Sequence, residues 1–413
     1  MPEKTLRGRT MKGLSHIEAR NILISAVDAV ETENIELSRC AGRILAREVR
    51  AAADVPSFDR SPLDGYAFRA EDVKEASADN PVTLKVLEEI AAGDVAHFEI
   101  TEGTASRIMT GAPIPEGADA VTMYEVTEFT DKEVKIFRPA KPGENIVRAG
   151  EDVKKGTLLA KAGMKIDAGL AGTIAFQNIE FPAVYRKLKV GVISTGSELQ
   201  NVGTTLAPGK IYDSNSHTFA AACMSKGFAA VNYGIVRDTA EEISAVLEKA
   251  LSESDAVILT GGASVGDYDV TPEAMEKCGA NILFRGVDLK PGMACAFAVK
   301  GKKLICGLSG NPASALTTFF VVALPALRKM AGETDCIPGE FTVTLADDFG
   351  KKSKGTRVLR GRLDLSGGEP RLIIPKDQGN VVISSAIGAD CMAFVPAGSG
   401  PLPAGTKLKA FLM

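Results

Sequence analysis

Asp255-Ala256-Val257-Ile258-Leu259-Thr260-Gly261-Gly262 carries the reading of the fold. An apolar run of strand length is bounded by an acid and a double glycine. A run like this fits a strand buried on both faces of a parallel sheet. Ala263-Ser264-Val265-Gly266-Asp267-Tyr268-Asp269 follows, so the chain turns sharply and places two acids past the strand's carboxyl end. Outward from it the pattern repeats. Residues 189–194 and 303–306 read as buried strands, and 230–236 as another. Residues 214–226 read as a helix with a Ser cap, 239–252 as a helix, 272–278 as a helix with proline early in it, and 311–330 as a long helix. Such alternation predicts a mostly parallel sheet with helices on both faces and ligands at the strands' carboxyl ends.

The flanks have a different texture. Ser15 and Glu18 form a capping-box pattern ahead of the stripe Ile17, Ile22, Leu23, Ala26, Val27 and Val30. A second helix-like piece covers 38–48. From about 80 to 185, short strands (82–86, 120–123, 134–137) alternate with proline and glycine turns. Residues 337–413 return to short strands at 342–345, 357–360, 372–374, 392–395 and 408–411, which suits a small β-barrel or sandwich. The expected architecture is multidomain, α/β plus β. Residues 1–186 form an N-terminal region of helical and β segments with an inserted β-rich module. Residues 187–332 form a three-layer α/β domain, and 333–413 a C-terminal β-barrel.

Composition narrows the function classes. A chain of 413 residues exceeds one ordinary core. Its 45% apolar and 24% charged residues are ordinary for a globular protein. A net charge of −4, no Trp and 6% aromatic residues argue against nucleic acid as a partner. The seven cysteines are scattered outside metal-site spacing and read as reduced thiols. Residues 1–7 hold no apolar signal core, and the apolar stretch 316–327 is too short for a bilayer span, so no membrane is expected.

Three glycine turns follow strands of the α/β region. Ser194-Thr195-Gly196-Ser197-Glu198 is the first. Gly261-Gly262-Ala263-Ser264-Val265-Gly266 is the second, with Asp267 and Asp269 beside it. Gly307-Leu308-Ser309-Gly310-Asn311-Pro312-Ala313-Ser314 is the third, opening the long helix. Glycines let backbone N–H groups approach an anion, a proline at a helix start exposes further N–H groups, and carboxylates suit Mg²⁺ next to phosphate. Lys290 adds a positive charge. Singly, each has a bland reading: a plain tight turn, a helix-capping acid at Glu198 or Asp238, a cap or turn at Asp213, a solvated lysine at 290. Three such turns in one domain are hard to assign to chance.

Ser57-Phe58-Asp59-Arg60-Ser61-Pro62-Leu63-Asp64-Gly65-Tyr66-Ala67 sets two further acids on a sharp turn. Asp59 and Asp64 can equally cap a loop anchored by Phe58 and Tyr66. Polar turns recur at 110–119 and 143–152. Together with the 260–269 loop, these suggest a metal ion and a phosphorylated ligand held by distant parts of the chain.

The ordered motifs F-D-R-S-P-L-D-G-Y-A, R-I-M-T-G-A-P-I-P-E-G-A-D-A-V, G-E-N-I-V-R-A-G-E-D, V-I-S-T-G-S-E-L, G-G-A-S-V-G-D-Y-D and G-L-S-G-N-P-A-S-A span nearly the whole chain. In that order they resemble the MoeA family of molybdopterin molybdenumtransferases, which includes the E domain of gephyrin. The resemblance implies transfer of molybdenum from molybdate to adenylylated molybdopterin, with AMP released and Mg²⁺ required. It places catalytic acids at Asp59, Asp152, Glu198, Asp238 and Asp269, with Glu198 and Asp269 nearest the metal. It implies substrate-binding roles for Thr110, Arg148, Thr195, Gly196, Gly261, Gly262, Ser264, Gly266, Lys290, Ser309, Gly310, Asn311, Pro312, Arg360 and Ser384. It further implies a cytoplasmic homodimer whose cleft takes the Asp59 loop from the other subunit, and contact with the molybdopterin adenylyltransferase.

The chain departs from the family pattern at Arg60, Pro62-Leu63, Val147, Met293-Ala294 and Ser309, mostly on the anion-binding side. Molybdate and tungstate therefore both stay open as the oxyanion. A nucleotide pyrophosphatase on the same α/β module and a gephyrin-like scaffold are the alternatives. The cluster 351–357 reads as a solvated hairpin tip or a lip for the anionic pterin.

Overall fold

The computed structural model describes residues 14–262 and 270–413. Contact density divides the chain into two compact units. One comprises Met1–Arg47, Ala162–Ala168 and Phe181–Met413, the other Glu48–Lys161 and Gly169–Glu180.

The larger unit opens with helix α1 (His16–Ala26). Ser15 Oγ accepts from the Glu18 N–H, and the Glu18 carboxylate accepts from the Ser15 N–H at 2.9 Å, completing the capping box. The expected helix over 38–48 does not form. Leu37–Arg39 makes one 3₁₀ turn, Gly42 takes φ +77°, and Ile44 and Leu45 bridge to Lys165 and Val184 instead. Long-range pairing has overridden a local helical pattern.

The smaller unit holds a six-stranded sheet: β1 (Gly65–Phe68), β2 (Val82–Ile90), β3 (Thr104–Ile108), β4 (Ala120–Met123), β5 (Thr127–Phe129) and β6 (Glu133–Ile136). Their order is β4-β1-β3-β2-β6-β5, antiparallel except for the β2–β3 pair. Successive residues bury on opposite faces. Tyr66 and Phe68 pack with Leu84 and Val134, whereas Ala67 packs with Ile108 and Val121.

The larger unit continues with β7 (Lys189–Thr195), α2 (Asn215–Ser225), β8 (Ala229–Val236), α3 (Ala240–Glu253), β9 (Ala256–Thr260), α4 (Val270–Lys277), β10 (Asn281–Arg285), β11 (Cys295–Lys300), β12 (Lys303–Leu308), α5 (Pro312–Thr318) and α6 (Leu324–Met330). The sheet order is β8-β7-β9-β12-β11-β10. The first four strands are parallel, and β11 and β10 add an antiparallel edge absent from the sequence reading. Strand β9 is buried on both faces, as its unbroken apolar run requires. Ala256 and Ile258 face a core with Leu23, Phe219 and Phe319; Val257 and Leu259 face Ile243, Leu247 and Met275. Helices α5 and α6 are joined through a π-helical stretch, Phe319–Ala323. The resulting 19-residue helix Pro312–Met330 is apolar and long enough to cross a membrane, longer than the stretch read from sequence. Of its most apolar 18-residue window 89% is buried inside the protein, so its apolarity serves the core.

Five strands close the C-terminal barrel: β13 (Phe341–Leu345), β14 (Arg357–Asp364), β15 (Arg371–Ile373), β16 (Cys391–Val395) and β17 (Lys407–Leu412), in the order β13-β15-β14-β16-β17. The fold is thus the multidomain α/β plus β architecture that the sequence leads one to expect. All seven cysteines are free and buried.

Candidate functional site

The carboxyl ends of β7, β9 and β12 converge through their glycine turns. Gly261 has φ +98°, and a Cβ there would lie 2.1 Å from the Thr195 carbonyl oxygen. Only glycine lets β9 leave the sheet across β7 in this way. A Cβ on Gly196 would lie 2.7 Å from Glu198 Oε2, so the Glu198 carboxylate folds back over its own turn. The Gly261 N–H donates to the Leu308 carbonyl (3.2 Å), and the Thr271 hydroxyl donates to the Gly261 carbonyl (3.0 Å). Gly262 lies against Thr271, with a would-be Cβ 2.7 Å from its hydroxyl.

Asp238 is not the N-cap of α3. Thr239 takes that place, its hydroxyl accepting from the Glu242 N–H. Asp238 Oδ2 instead accepts from the Ser197 N–H at 3.1 Å, reaching from the end of β8 to the Gly196 turn. Glu198 is exposed, and among the described residues its carboxylate has no hydrogen-bond or ion-pair partner. Asp213 is buried and caps the helix, in line with its cap-or-turn reading, in place of the expected serine cap. Ser214 holds the N-cap position without a side-chain bond, and Asp213 Oδ1 accepts from the Ser216 N–H (3.1 Å) and the Ser194 hydroxyl (2.8 Å).

At the third turn, the Asn311 N–H donates to Ser309 Oγ at 3.2 Å, and Pro312 begins α5. Ser309 is buried, whereas Gly310 and Asn311 are exposed. Asn215 Nδ2 donates to the Gly310 carbonyl at 2.9 Å and ties this turn to α2. Lys290 is exposed, on a turn held by backbone bonds to Thr356 and Val358 and by the Thr318 hydroxyl on the Gly292 carbonyl.

Arg360, expected to bind substrate, lies inside the protein rather than on its surface. It is wholly buried, and its guanidinium donates to Ser385 Oγ and Thr317 Oγ1, behind the turn that opens α5. Burial pushes its pKa down to about 10. Ser384 is exposed, and it is the neighbouring Ser385 that pairs with Arg360. In the 351–357 cluster, Arg357 is buried on the Phe349 ring and bonded to Ser353, so the cluster is not wholly a solvated tip. Ser264, Gly266 and Asp269 lie outside the described residues.

In the smaller unit the three polar turns meet. Arg60 exchanges backbone bonds with Val147, and the Ile114 N–H donates to the Asp59 carbonyl. Arg148 Nη1 lies 2.5 Å from Asp59 Oδ2, and the Ala149 N–H donates to Asp59 Oδ1 at 2.8 Å. The Ala149 bond, then Arg148, holds the Asp59 carboxyl below the usual range despite partial burial. Asp64 Oδ1 accepts from both the N–H and the hydroxyl of Thr110, each at 2.7 Å, which lowers its pKa as well. Asp152 is exposed on the same stretch, its N–H bonded to the Val55 carbonyl. Tyr66 is the packing anchor expected, but Phe58 is 46% exposed.

Among the described residues, no three His, Cys, Asp or Glu side chains gather as a metal site. Three buried polar atoms near the strand ends are unpartnered: Thr195 Oγ1, Asn215 Oδ1 and Ser216 Oγ. Sequence reading missed the last two, because Ser-Asn-Ser after an acid looks like an ordinary helix start.

The descriptions "MoeA N-terminal region (domain I and II)", "Probable molybdopterin binding domain" and "MoeA C-terminal region (domain IV)" match residues 14–177, 191–329 and 342–412. The chain belongs to the MoeA family. A Staphylococcus epidermidis protein named molybdopterin molybdenumtransferase is 37% identical over 98% of this chain and 93% of its own length. One of the same name from Staphylococcus aureus is 34% identical over 96% and 94%. The crystal structure of a Pyrococcus horikoshii molybdopterin biosynthesis MoeA protein superposes with a TM-score of 0.82 at 32% identity, covering 97% of this chain and 100% of that one. The three glycine turns all lie within residues 191–329, the stretch matched by the probable molybdopterin binding domain.

Proposed function

We propose that this protein is a molybdopterin molybdenumtransferase, which moves molybdenum from molybdate onto adenylylated molybdopterin and releases AMP. The observation that carries this reading is the convergence of glycine turns at the ends of β7, β9 and β12, with the Thr195, Asn215 and Ser216 side-chain oxygens unpartnered there among the described residues, in a MoeA-family chain. Pro312 has no N–H and the Asn311 N–H is engaged by Ser309 Oγ, so the Gly310 N–H and Lys290 receive the oxyanion, a tetrahedral dianion resembling phosphate. The Gly261–Gly262 turn admits the ligand's phosphates close to the main chain. Thr110 and Arg148 serve the pterin, and Asp59, paired with Arg148, and Asp152 act as catalytic acids.

Mg²⁺ fits the donor set. Glu198 offers an exposed carboxylate with no partner among the described residues, and Asp238 a carboxylate on the same turn, both hard oxygens of the kind Mg²⁺ selects. Glu198 and Asp269 would hold the ion. Bound Mg²⁺ supplies charge neutralisation and Lewis acidity at the phosphoanhydride. A cytoplasmic homodimer with a shared active site, and contact with the molybdopterin adenylyltransferase, belong to the same proposal.

The test is transfer itself. The protein is incubated with adenylylated molybdopterin, Mg²⁺ and molybdate or tungstate, and the product is assayed by activation of a molybdenum-free apoenzyme. Activation that needs molybdate and matches the AMP released supports the reading. AMP released without either oxyanion indicates a pyrophosphatase, and no AMP at all indicates a scaffold.

A further inference from the structure

The unpartnered atoms at the strand ends have a chemical sense that the glycine turns do not. Thr195, Asn215 and Ser216 are 3%, 8% and 1% exposed, and each keeps one side-chain polar atom without a bond among the described residues. Few buried polar atoms in folded proteins stay unpaired, and those that do call for an occupant. The orientation of the Asn215 amide is fixed, because the Gly310 carbonyl only accepts and so must face Nδ2, at 2.9 Å. The free atom is therefore Oδ1, which can accept but not donate. The Ser216 N–H is already spent on Asp213 Oδ1, which also takes the Ser194 hydroxyl. An oxyanion placed here would meet an acceptor oxygen with an aspartate carboxyl group behind it. An uncharged N–H or O–H donor would instead complete the set, with the two hydroxyls free to give or take a proton.

We infer that Asn215, Ser216 and Thr195 form a neutral floor of the cleft that takes a donor-bearing, uncharged edge of the ligand rather than its phosphates or the oxyanion. Pterin N–H groups and ribose hydroxyls share this chemistry. The inference rests on the reading that the cleft binds adenylylated molybdopterin.

Ser216→Ala and Thr195→Val test it, since neither removes a side-chain hydrogen bond that the free protein makes. The melting temperature should hold or rise. The Kd for adenylylated molybdopterin should increase roughly three- to tenfold in each variant, the loss of one neutral hydrogen bond. The molybdate concentration for half-maximal AMP release should not move. AMP is the second probe: weakened AMP binding assigns the ribose, and unchanged AMP binding assigns the pterin. Wild-type affinity in both variants overturns the inference, as does a lower melting temperature with unchanged affinity, or a shifted molybdate dependence. A wild-type protein that does not bind adenylylated molybdopterin overturns the functional reading along with it.

Discussion

The turns around Asp59 and around Thr195 are built from similar residues, yet they differ in what they leave unpaired. In the smaller unit, Asp59 is matched by Arg148 and Ala149, and Asp64 by Thr110. In the α/β domain, Glu198 has no partner among the described residues, and Thr195, Asn215 and Ser216 each keep an unmatched atom. The first cluster is complete without a ligand and can engage one only by exchanging partners. The second is incomplete and gains bonds when it is filled. Unmet hydrogen-bonding capacity therefore marks the seat of binding more sharply than the mere presence of acids does.

The largest predicted break in this contrast is Gly261→Ala. The new Cβ would lie 2.1 Å from the Thr195 carbonyl at a φ of +98°, so the turn must shift. A shift on the order of 1 Å at a positioning turn costs about a hundredfold in rate. We expect that loss in kcat/KM for AMP release, with the melting temperature of the smaller unit unchanged. Near-wild-type turnover would show that the turn does not position the ligand.

Glu198→Gln ranks next. Removing a carboxylate that has no partner among the described residues should lower the rate roughly ten- to hundredfold and raise the Mg²⁺ concentration needed for half-maximal activity. Equal Mg²⁺ dependence in variant and wild type would remove Glu198 from the metal set.

The smallest effect on stability belongs to Arg148→Gln. An exposed ion pair contributes under about 1 kcal/mol, so thermal unfolding should barely move. The leading cause of Asp59's lowered pKa is the Ala149 N–H, so the carboxyl should still titrate below its ordinary value in the variant, as NMR would record. The sign follows from linkage: a depressed carboxyl contributes stability above its unfolded pKa of about 3.9 and loses it as pH falls through the folded value. Titration at the ordinary value would assign the effect to Arg148 instead.

Much of this was legible in the sequence. Apolar runs at 189–194, 255–260 and 303–306, each ended by glycine, locate the parallel core and its ligand-facing edge. Ser15 and Glu18 mark the start of α1. What escaped depends on contacts distant in sequence. Residues 38–48 have a helical pattern, but Ile44 and Leu45 pair with Lys165 and Val184. Strands β10 and β11 carry Asn, Arg, Cys and Lys at their ends and pack as an edge, so their local pattern is weak. Arg360 has no local apolar pattern that would announce its burial against Thr317 and Ser385. Asn215 looks like a helix-start residue until Gly310 fixes its amide.

The central claim is that the strand-end cleft transfers molybdenum at the cost of the adenylyl group. AMP release from adenylylated molybdopterin with Mg²⁺, measured with and without molybdate for wild type and Glu198→Gln, tests it most directly. The account predicts release that requires molybdate in the wild type and falls at least roughly tenfold in the variant. Release at the same rate without molybdate, or undiminished in the variant, would contradict it.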